Sequence, residues 1–248
     1  MRIRVFETSD ELARATATLM AVRAGRAIME RGQAAVVIPG GATPQAILKA
    51  LAAPPLSDVT PWQALHFFMS DERCVALDDP ASNFGQAQRL LFGQVPLPAH
   101  HLHPIPVGRY EPEEAAARYT ADIRTHFGGL PPEFDFMLLG VGADGHVASL
   151  FPGHPLVCGG GDPKSYAEAV MPPPDIQPQT PRVTLTLPVL RAARHVVIAA
   201  TGAAKSDIVR QLIGPEAKNN GHHPANLVQA QAELFWFLDA AAAQGLNN

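Results

Sequence analysis

Residues Phe134 to Gly153 read FDFMLLGVGADGHVASLFPG, and this stretch decides the fold. Five of its first six residues are apolar, which predicts a strand that is buried on both faces, as in a parallel sheet. A glycine-rich turn follows at once and carries Asp144 and His146. Ligands of open parallel sheets bind beyond the carboxyl ends of the strands. An acid and a histidine among glycines at this point therefore predict a chemical site.

The glycines of this turn also match the spacing GxGxxG, which is typical of dinucleotide-binding loops that follow a strand. Such a loop needs a helix that continues from the third glycine and an acidic residue about 20 positions further on. Here Pro152 and Pro155 allow at most a short helical turn. Local pattern alone leaves two alternatives open, a dinucleotide loop and a plain tight turn with a surface histidine.

The segment GVGADGHVASLFPG resembles the signature of the 6-phosphogluconolactonases, in which a glycine turn is followed by Asp-Gly-His and then by Ala-Ser-Leu-Phe-Pro. The related glucosamine-6-phosphate deaminases share the turn but continue with Asn-Glu-Pro, and that glutamate takes part in their chemistry. This chain has Leu150, Phe151 and Pro152 at the equivalent place. The resemblance therefore implies a lactonase. The alternatives are a deaminase-isomerase and a non-enzymatic sugar-phosphate sensor, although a sensor would need a DNA-binding module for which the chain has no room.

The composition is that of an ordinary globular protein, with 248 residues, 47% hydrophobic residues and 17% charged residues. The formal net charge of −4 predicts no partnership with nucleic acid or with an anionic membrane. No apolar run is long enough to cross a bilayer, and no secretion signal is evident. Cys74 and Cys158 have no zinc or disulfide spacing, so we expect two reduced thiols in a cytoplasmic protein.

Residues 39–44, PGGATP, follow a predicted strand at 34–38. Thr43 is suited to N-cap the next helix, and free backbone N–H groups at a helix start bind phosphate. A purely structural turn is the alternative. The segment resembles the Gly-Gly-Ser-Thr-Pro phosphate loop of the lactonases, with Ala42 in place of the usual serine. The resemblance implies that Gly40, Gly41, Ala42 and Thr43 bind the substrate phosphate.

A strand predicted at 65–69 leads into Asp71, Glu72 and Arg73, and a Ser-Asn pair follows at 82–83. A charged triplet of this kind is often only a solvated cluster. The segment resembles the lactonase Asp-Glu-Arg with its following Ser-Asn, however, at the spacing of that family. The resemblance implies that Asp71 binds substrate and that Arg73 contacts the sugar ring or the charge that develops in the reaction.

Two more cations stand near predicted strands. Arg182 precedes an alternating strand at 183–187, in a proline-rich context that resembles the lactonase phosphate-binding arginine. Lys205 lies in the first turn of a helix that Thr201 is expected to cap, where a cation opposes the helix dipole. A residue that destabilises its own helix without an evident compensating gain is often retained for function. The lactonase pattern Thr-Gly-x-x-Lys implies that this lysine also binds phosphate.

Three histidines, His100, His101 and His103, cluster before a proline. Their closeness invites a metal hypothesis, but no carboxylate or cysteine accompanies them at ligand spacing. We therefore predict neither a metal nor any other cofactor.

Strands near residues 36, 67, 137, 168, 185 and 198 alternate with helices, which predicts the α/β class with a mostly parallel sheet. The resemblance implies a three-layer α/β/α, Rossmann-like fold, shared with glucosamine-6-phosphate deaminases and ribose-5-phosphate isomerases, in a single domain over residues 1–248. The expected partner is a small sugar-phosphate lactone, and the expected state is a monomer or a weak homo-oligomer.

Lactone hydrolysis needs a general base that activates water and donors that stabilise the oxyanion. Histidine exchanges protons near neutral pH, so His146 is the predicted base. Asp144 either orients the imidazole or binds a sugar hydroxyl, and the sequence leaves both roles open. Backbone amides up to Gly142, together with Arg73, are the candidates for the oxyanion. Ser149 lacks the G-x-S-x-G elbow of a nucleophilic serine.

Overall fold

The computed structural model describes residues 1–215, 217 and 223–246. Ten strands form within them: β1 (Arg2–Phe6), β2 (Ala34–Ile38), β3 (Leu65–Met69), β4 (Asp71–Arg73), β5 (Leu102–His103), β6 (Phe136–Gly140), β7 (Ala167–Val170), β8 (Arg182–Leu185), β9 (His195–Ala200) and β10 (Glu233–Asp239). Seven of them form the central sheet in the order β1-β10-β9-β6-β2-β3-β5, and all its pairings are parallel. The predicted α/β class is confirmed.

The strands expected near residues 168 and 185 exist, but their expected place in the main sheet is wrong. They are β7 and β8, which join β4 in a separate antiparallel sheet of order β4-β8-β7. The chain changes sheet at Ser70, whose carbonyl accepts from the N–H of Leu185. A short strand pattern specifies extended backbone but not the partner strand, and this is why the sequence misassigned both.

Eight α-helices form in the described part of the chain: α1 (Ser9–Arg31), α2 (Ala42–Leu51), α3 (Leu56–Val59), α4 (Asn83–Ala87), α5 (Pro112–His126), α6 (Leu187–Ala192), α7 (Ser206–Ile213) and α8 (Pro224–Leu227). Helix α1 packs on α2, β2 and β10, whereas α5 packs on the small sheet. No helix among these residues is long and apolar enough to span a bilayer. After β10, the alanine-rich residues 240–243 form a turn.

Buried strands of the central sheet carry the core. Every residue of β2 is buried, and so are the first four residues of β6, as the apolar run predicted. The hydroxyl of Tyr119, on α5, donates to the carbonyl of Met69 and accepts from its N–H, and it is fully buried. This pair of hydrogen bonds fixes the end of β3, from which the chain enters β4.

Glu72 anchors the loop that follows β4. Its fully buried carboxylate accepts hydrogen bonds from the backbone N–H groups of Arg73, Asn83 and Phe84 and from the hydroxyl of Ser82. Burial raises the pKa of Glu72, and these hydrogen bonds oppose the rise. Ser82 in turn caps α4 by accepting a hydrogen bond from the N–H of Gly85. The carboxylate thereby holds the start of α4 against the small sheet.

We expect Glu72→Gln to lower the free energy of unfolding by about 1–3 kcal/mol, because the amide NH₂ would face backbone donors that now have an acceptor. Urea denaturation measures the change. Glu114→Gln is the control, since this exposed residue pairs only with Arg118 on the same helix and should change stability by less than about 0.5 kcal/mol. Equal urea midpoints for the two variants would contradict the anchoring role of Glu72.

The two cysteines should differ sharply in reactivity. Burial, with the charge of Glu72 and of more distant glutamates, raises the pKa of Cys74 to about 11, whereas Cys158 is exposed. At pH 8 only about one Cys74 in a thousand is then a thiolate, the reactive form. We expect iodoacetamide to alkylate Cys158 in the folded protein and to spare Cys74, as measured by peptide mass spectrometry. Comparable labelling rates before denaturation would contradict this assignment.

Candidate active site

A cavity of about 450 Å³ opens beyond the carboxyl ends of β2, β6 and β9. The loops that follow these strands form its walls, together with the end of β4 and the start of β8. With the exception of Asp144, every site residue predicted from the sequence lines this cavity: Gly40, Gly41, Ala42, Thr43, Asp71, Arg73, Gly142, His146, Arg182 and Lys205.

Asp144 contacts the cavity through His146. Its Oδ1 lies 2.6 Å from Nδ1 of the imidazole and also accepts from the His146 backbone N–H. An ionised carboxylate only accepts, so Nδ1 carries the proton and Nε2 of the neutral ring keeps a free lone pair. Burial raises the pKa of Asp144, but the hydrogen bonds and charge of His146 outweigh it and hold that pKa below its usual value. The geometry is that of an oriented base.

Gly142 is required by the packing of this pair. A Cβ at that position would lie 2.1 Å from Nδ1 of His146 and 2.5 Å from Oδ1 of Asp144. The N–H of Gly142 donates to the carbonyl of His146, which closes the turn. The glycine therefore lets the imidazole lie against the backbone at the end of β6.

The dinucleotide alternative is wrong for this turn. Residues 143–145 form a turn, and the next helical segment among the described residues is the short 3₁₀ turn Pro155–Val157. No helix continues from Gly145, so no helix N-terminus receives a pyrophosphate there. The plain-turn alternative also fails, because His146 is half-buried in the wall of the cavity.

The glycine loop after β2 leads directly into α2. The expected N-cap role of Thr43 is wrong: the cap is Gly41, at φ +104°, and the hydroxyl of Thr43 lies 2.6 Å from that of Thr201. A Cβ at Gly40 would lie 1.8 Å from Oδ1 of Asn83. Because no side chain caps α2, its first N–H groups remain available at the cavity.

Three cations line the cavity without pairing to any described carboxylate: Arg73, Arg182 and Lys205. Arg182 is only 2% exposed, and the Nε atoms of both arginines are buried with no hydrogen-bond partner in the described part of the chain. Burial lowers the pKa of Arg182 and the pKa of Lys205. In each case the negative charge of a nearby aspartate partly opposes the decrease. Buried, unpaired cations are costly, so this arrangement favours an anionic ligand.

The backbone around Lys205 differs from the one that the sequence predicted. The expected cap at Thr201 is wrong, because Ala203–Lys205 form a 3₁₀ turn after Gly202, and α7 begins only at Ser206. The N–H of Gly202 donates to the carboxylate of Asp239. The lysine therefore precedes the helix rather than lying in its first turn.

Asp71 and Ser149 are linked in the wall behind the cavity. The carboxylate of Asp71 accepts from the hydroxyl of Ser149 at 2.7 Å and from that of Ser70 at 2.9 Å. Ser149 is fully buried and its N–H donates to the hydroxyl of Thr184. Its hydroxyl is thus a structural donor to Asp71 and is not presented to the cavity.

Sequence reasoning missed several lining residues. Asn83 and Thr201 lie in segments that were singled out, but neither was assigned to the site. Asp175 and Gln177 come from a proline-rich stretch with no periodic pattern, and the carbonyl of Gln177 lies 3.4 Å from Nη2 of Arg182. No local signal marks that stretch, because only the tertiary fold lays it over the cavity.

Known proteins resemble this chain over nearly its whole length. The family model described as glucosamine-6-phosphate isomerases/6-phosphogluconolactonase matches residues 7–236. The 6-phosphogluconolactonase of a Synechocystis species is 37% identical over 228 residues, which cover 91% of this chain and 90% of that protein. The 6-phosphogluconolactonase of Streptomyces coelicolor is 35% identical over 260 residues, covering 98% of this chain and 93% of its relative.

Solved structures agree. The crystal structure of the devB protein is 34% identical, with a TM-score of 0.85 over 98% of each chain. The 6-phosphogluconolactonase from Trypanosoma cruzi is 25% identical, with a TM-score of 0.86 over 100% of this chain and 97% of that one. A monomeric glucosamine-6-phosphate deaminase, 21% identical with a TM-score of 0.81, shares the fold. The chain belongs to the glucosamine-6-phosphate isomerase/6-phosphogluconolactonase family.

Proposed function

We propose that this chain hydrolyses 6-phospho-D-glucono-1,5-lactone to 6-phospho-D-gluconate, the second step of the oxidative pentose phosphate pathway. One observation carries the proposal: an oriented Asp144–His146 pair lies beside a cavity that also holds three cations without described carboxylate partners. The lactonase names of relatives that are up to 37% identical support the same substrate class.

His146 acts as the general base. Its Nε2 takes a proton from a water molecule, the resulting hydroxide adds to the lactone carbonyl carbon, and a tetrahedral oxyanion forms. When that intermediate collapses, the bond to the ring oxygen breaks and the imidazolium returns the proton to this oxygen. Asp144 positions the ring and stabilises the imidazolium through Nδ1. The cycle needs no covalent intermediate with the protein.

Arg73 stabilises the oxyanion. Its Nη1 donates to the carbonyl of Ala81, which fixes the guanidinium at the cavity wall. The backbone amide of Gly142, the other candidate, already donates to the carbonyl of His146. A preformed donor that is directed at developing charge contributes more than one that must reorganise.

The substrate phosphate binds Arg182, Lys205 and the free N–H groups at the start of α2. Ala42 removes the hydroxyl that the lactonase loop usually carries, and the hydroxyl of Thr43 is engaged with Thr201. Backbone amides and the two cations therefore make most of the contact. Asp71 and the sugar hydroxyls form the remaining substrate contacts.

We further propose that residues 1–248 act as one catalytic unit, a monomer or a weak homo-oligomer in the cytoplasm. Each group that the mechanism uses comes from a single copy of the chain. The formal charge of −4 argues against nucleic acid as a partner, since binding to a polyanion is favoured by a basic surface.

The decisive test is hydrolysis of freshly prepared 6-phosphogluconolactone, measured above its spontaneous rate. We expect His146→Ala to lose about 10²–10⁴-fold in kcat, the range of general acid–base catalysis, while its circular dichroism stays unchanged. Asp144→Asn should lose less, because it removes only the orientation of the ring. His100→Ala, an exposed histidine, is the control. Near wild-type kcat in His146→Ala would exclude this mechanism.

The phosphate contacts are tested by comparing two substrates. Arg182→Ala and Lys205→Ala should each raise KM for the phosphorylated lactone about 10–100-fold, because a charge-assisted hydrogen bond contributes about 1.5–3 kcal/mol. For the lactone without phosphate, both variants should behave like the wild type. Lys164→Ala, an exposed lysine, is the control. Equal losses on the two lactones would show that these cations serve another group.

The deaminase alternative predicts ammonia release from glucosamine 6-phosphate. We expect none, because Leu150 and Phe151 stand where the deaminases have their glutamate, and both side chains are buried. The sugar phosphate should act at most as a weak competitive inhibitor through the phosphate contacts. Enzyme-dependent ammonia release that is lost in His146→Ala would favour the deaminase.

A further inference from the structure

A second cluster of titratable side chains lies apart from the cavity, where β3 and β5 meet the end of α5. His66 is on β3, His103 is on β5 and His126 is the last residue of α5. One ring nitrogen from each lies within 4.8 Å of the others. None of the three lines the active-site cavity. The sequence had grouped His103 with His100 and His101, but the fold regroups it with two distant histidines.

The geometry of the three rings is close to that of a metal site. Nδ1 of His66 lies 3.1 Å from Nε2 of His103. Two nitrogens of a tetrahedral zinc site are roughly 3.3 Å apart, given a zinc–nitrogen distance of about 2.0–2.1 Å. The nitrogen of His126 lies within 4.8 Å of the other two, so a metal ion at the centre would require a small rotation of its ring.

A carboxylate orients the central ring. Oδ2 of Asp122 lies 2.9 Å from Nδ1 of His103, so this nitrogen carries the proton and the lone pair of Nε2 is directed at Nδ1 of His66. Metal-binding histidines almost always donate their second nitrogen to a carboxylate, a carbonyl or water, which sets the tautomer and raises the basicity of the ligand.

Other rings pack around the cluster and shield it in part from solvent. Phe68 stacks on His103 with ring centroids 3.9 Å apart, and the ring of His101 lies 3.9 Å from that of His66. Neutral imidazole is the form that binds metal ions.

An ion has a route to these rings. His126 also lines a cavity of about 390 Å³ that connects the cluster to solvent. Glu133 and Asp135 in its wall are paired with Arg194 and Arg31, so the cavity gives access to the rings but no net negative charge.

We propose that His66, His103 and His126 bind one divalent transition-metal ion of the zinc class, with Asp122 as the positioning residue of His103. The three imidazole nitrogens are the protein ligands, and water takes the fourth position. The site is structural: it links β3, α5 and β5, and β5 is a two-residue edge strand with only two paired residues in the sheet.

Packing alone is the competing explanation, and it accounts for the cluster less well. Aliphatic or phenyl side chains would fill the same volume without the desolvation of several imidazoles, which is unfavourable unless their nitrogens are bound. A hydrogen bond between Nδ1 of His66 and Nε2 of His103 brings two of the ring nitrogens together without a metal, but it gives no reason for a nitrogen of His126 to lie within 4.8 Å of both.

The test uses the full-length protein, stripped with EDTA and titrated with Zn²⁺ by calorimetry. We expect one equivalent to bind and the Tm to rise with zinc concentration, as linkage requires. His126→Gln should weaken binding at least 10-fold, and Asp122→Asn about 10–100-fold. His100→Gln, an exposed histidine of the same run, should bind like the wild type. His146→Ala should also retain the equivalent, which excludes binding at the active site.

X-ray absorption of the wild-type zinc complex should show three imidazole ligands, a readout that does not depend on any variant folding. Absence of stoichiometric binding by the wild type would overturn the proposal. So would unchanged affinity in His126→Gln, loss of the equivalent in His146→Ala, or an absorption spectrum with fewer than three imidazoles.

Discussion

The parallel register of the central sheet is the constraint on which the rest of the structure depends. Because β2, β6 and β9 run in the same direction and pair side by side, their carboxyl ends reach one edge together. The three loops that follow must then share a small volume. Glycines at 40, 41 and 142 make this possible, since a Cβ at 40 or 142 would overlap Asn83 or the His146–Asp144 pair, and 41 adopts a positive φ.

The convergence of these loops brings positive side chains together at the cavity without matching negative charge. The proposed substrate would supply that negative charge. Arg182 and Lys205 are desolvated, and their lowered pKa values show that burial disfavours their charge. In the proposed complex, a dianionic phosphate would supply the compensating charge, and the start of α2 would add N–H donors whose dipole has the right sign. The protein thus keeps the cations in place at a cost in stability that binding offsets, as is common at functional sites.

Buried polar side chains around the cavity hold this arrangement. Glu72 binds the start of α4, Asp71 receives the hydroxyl of Ser149, and Asp239 receives the N–H of Gly202. Each carboxylate is buried and satisfied by donors from segments that are distant in sequence. The histidine cluster at β3 and β5 follows the same pattern, with Asp122 on the middle ring. At the cavity and at the histidine cluster alike, a carboxylate fixes the position of a neighbouring polar group through a hydrogen bond.

The sequence by itself determined the fold class, the strand that precedes Asp144 and His146, and ten of the residues that line the cavity. These depend on local patterns: an apolar run, glycine turns and motifs a few residues long. Tertiary structure alone decided which sheet β7 and β8 join, where α2 and α7 begin, and that residues 175–177 cover the cavity. It also brought His66, His103 and His126 together. Strand partners and side chains tens of residues apart meet only through long-range packing, which a local pattern does not encode.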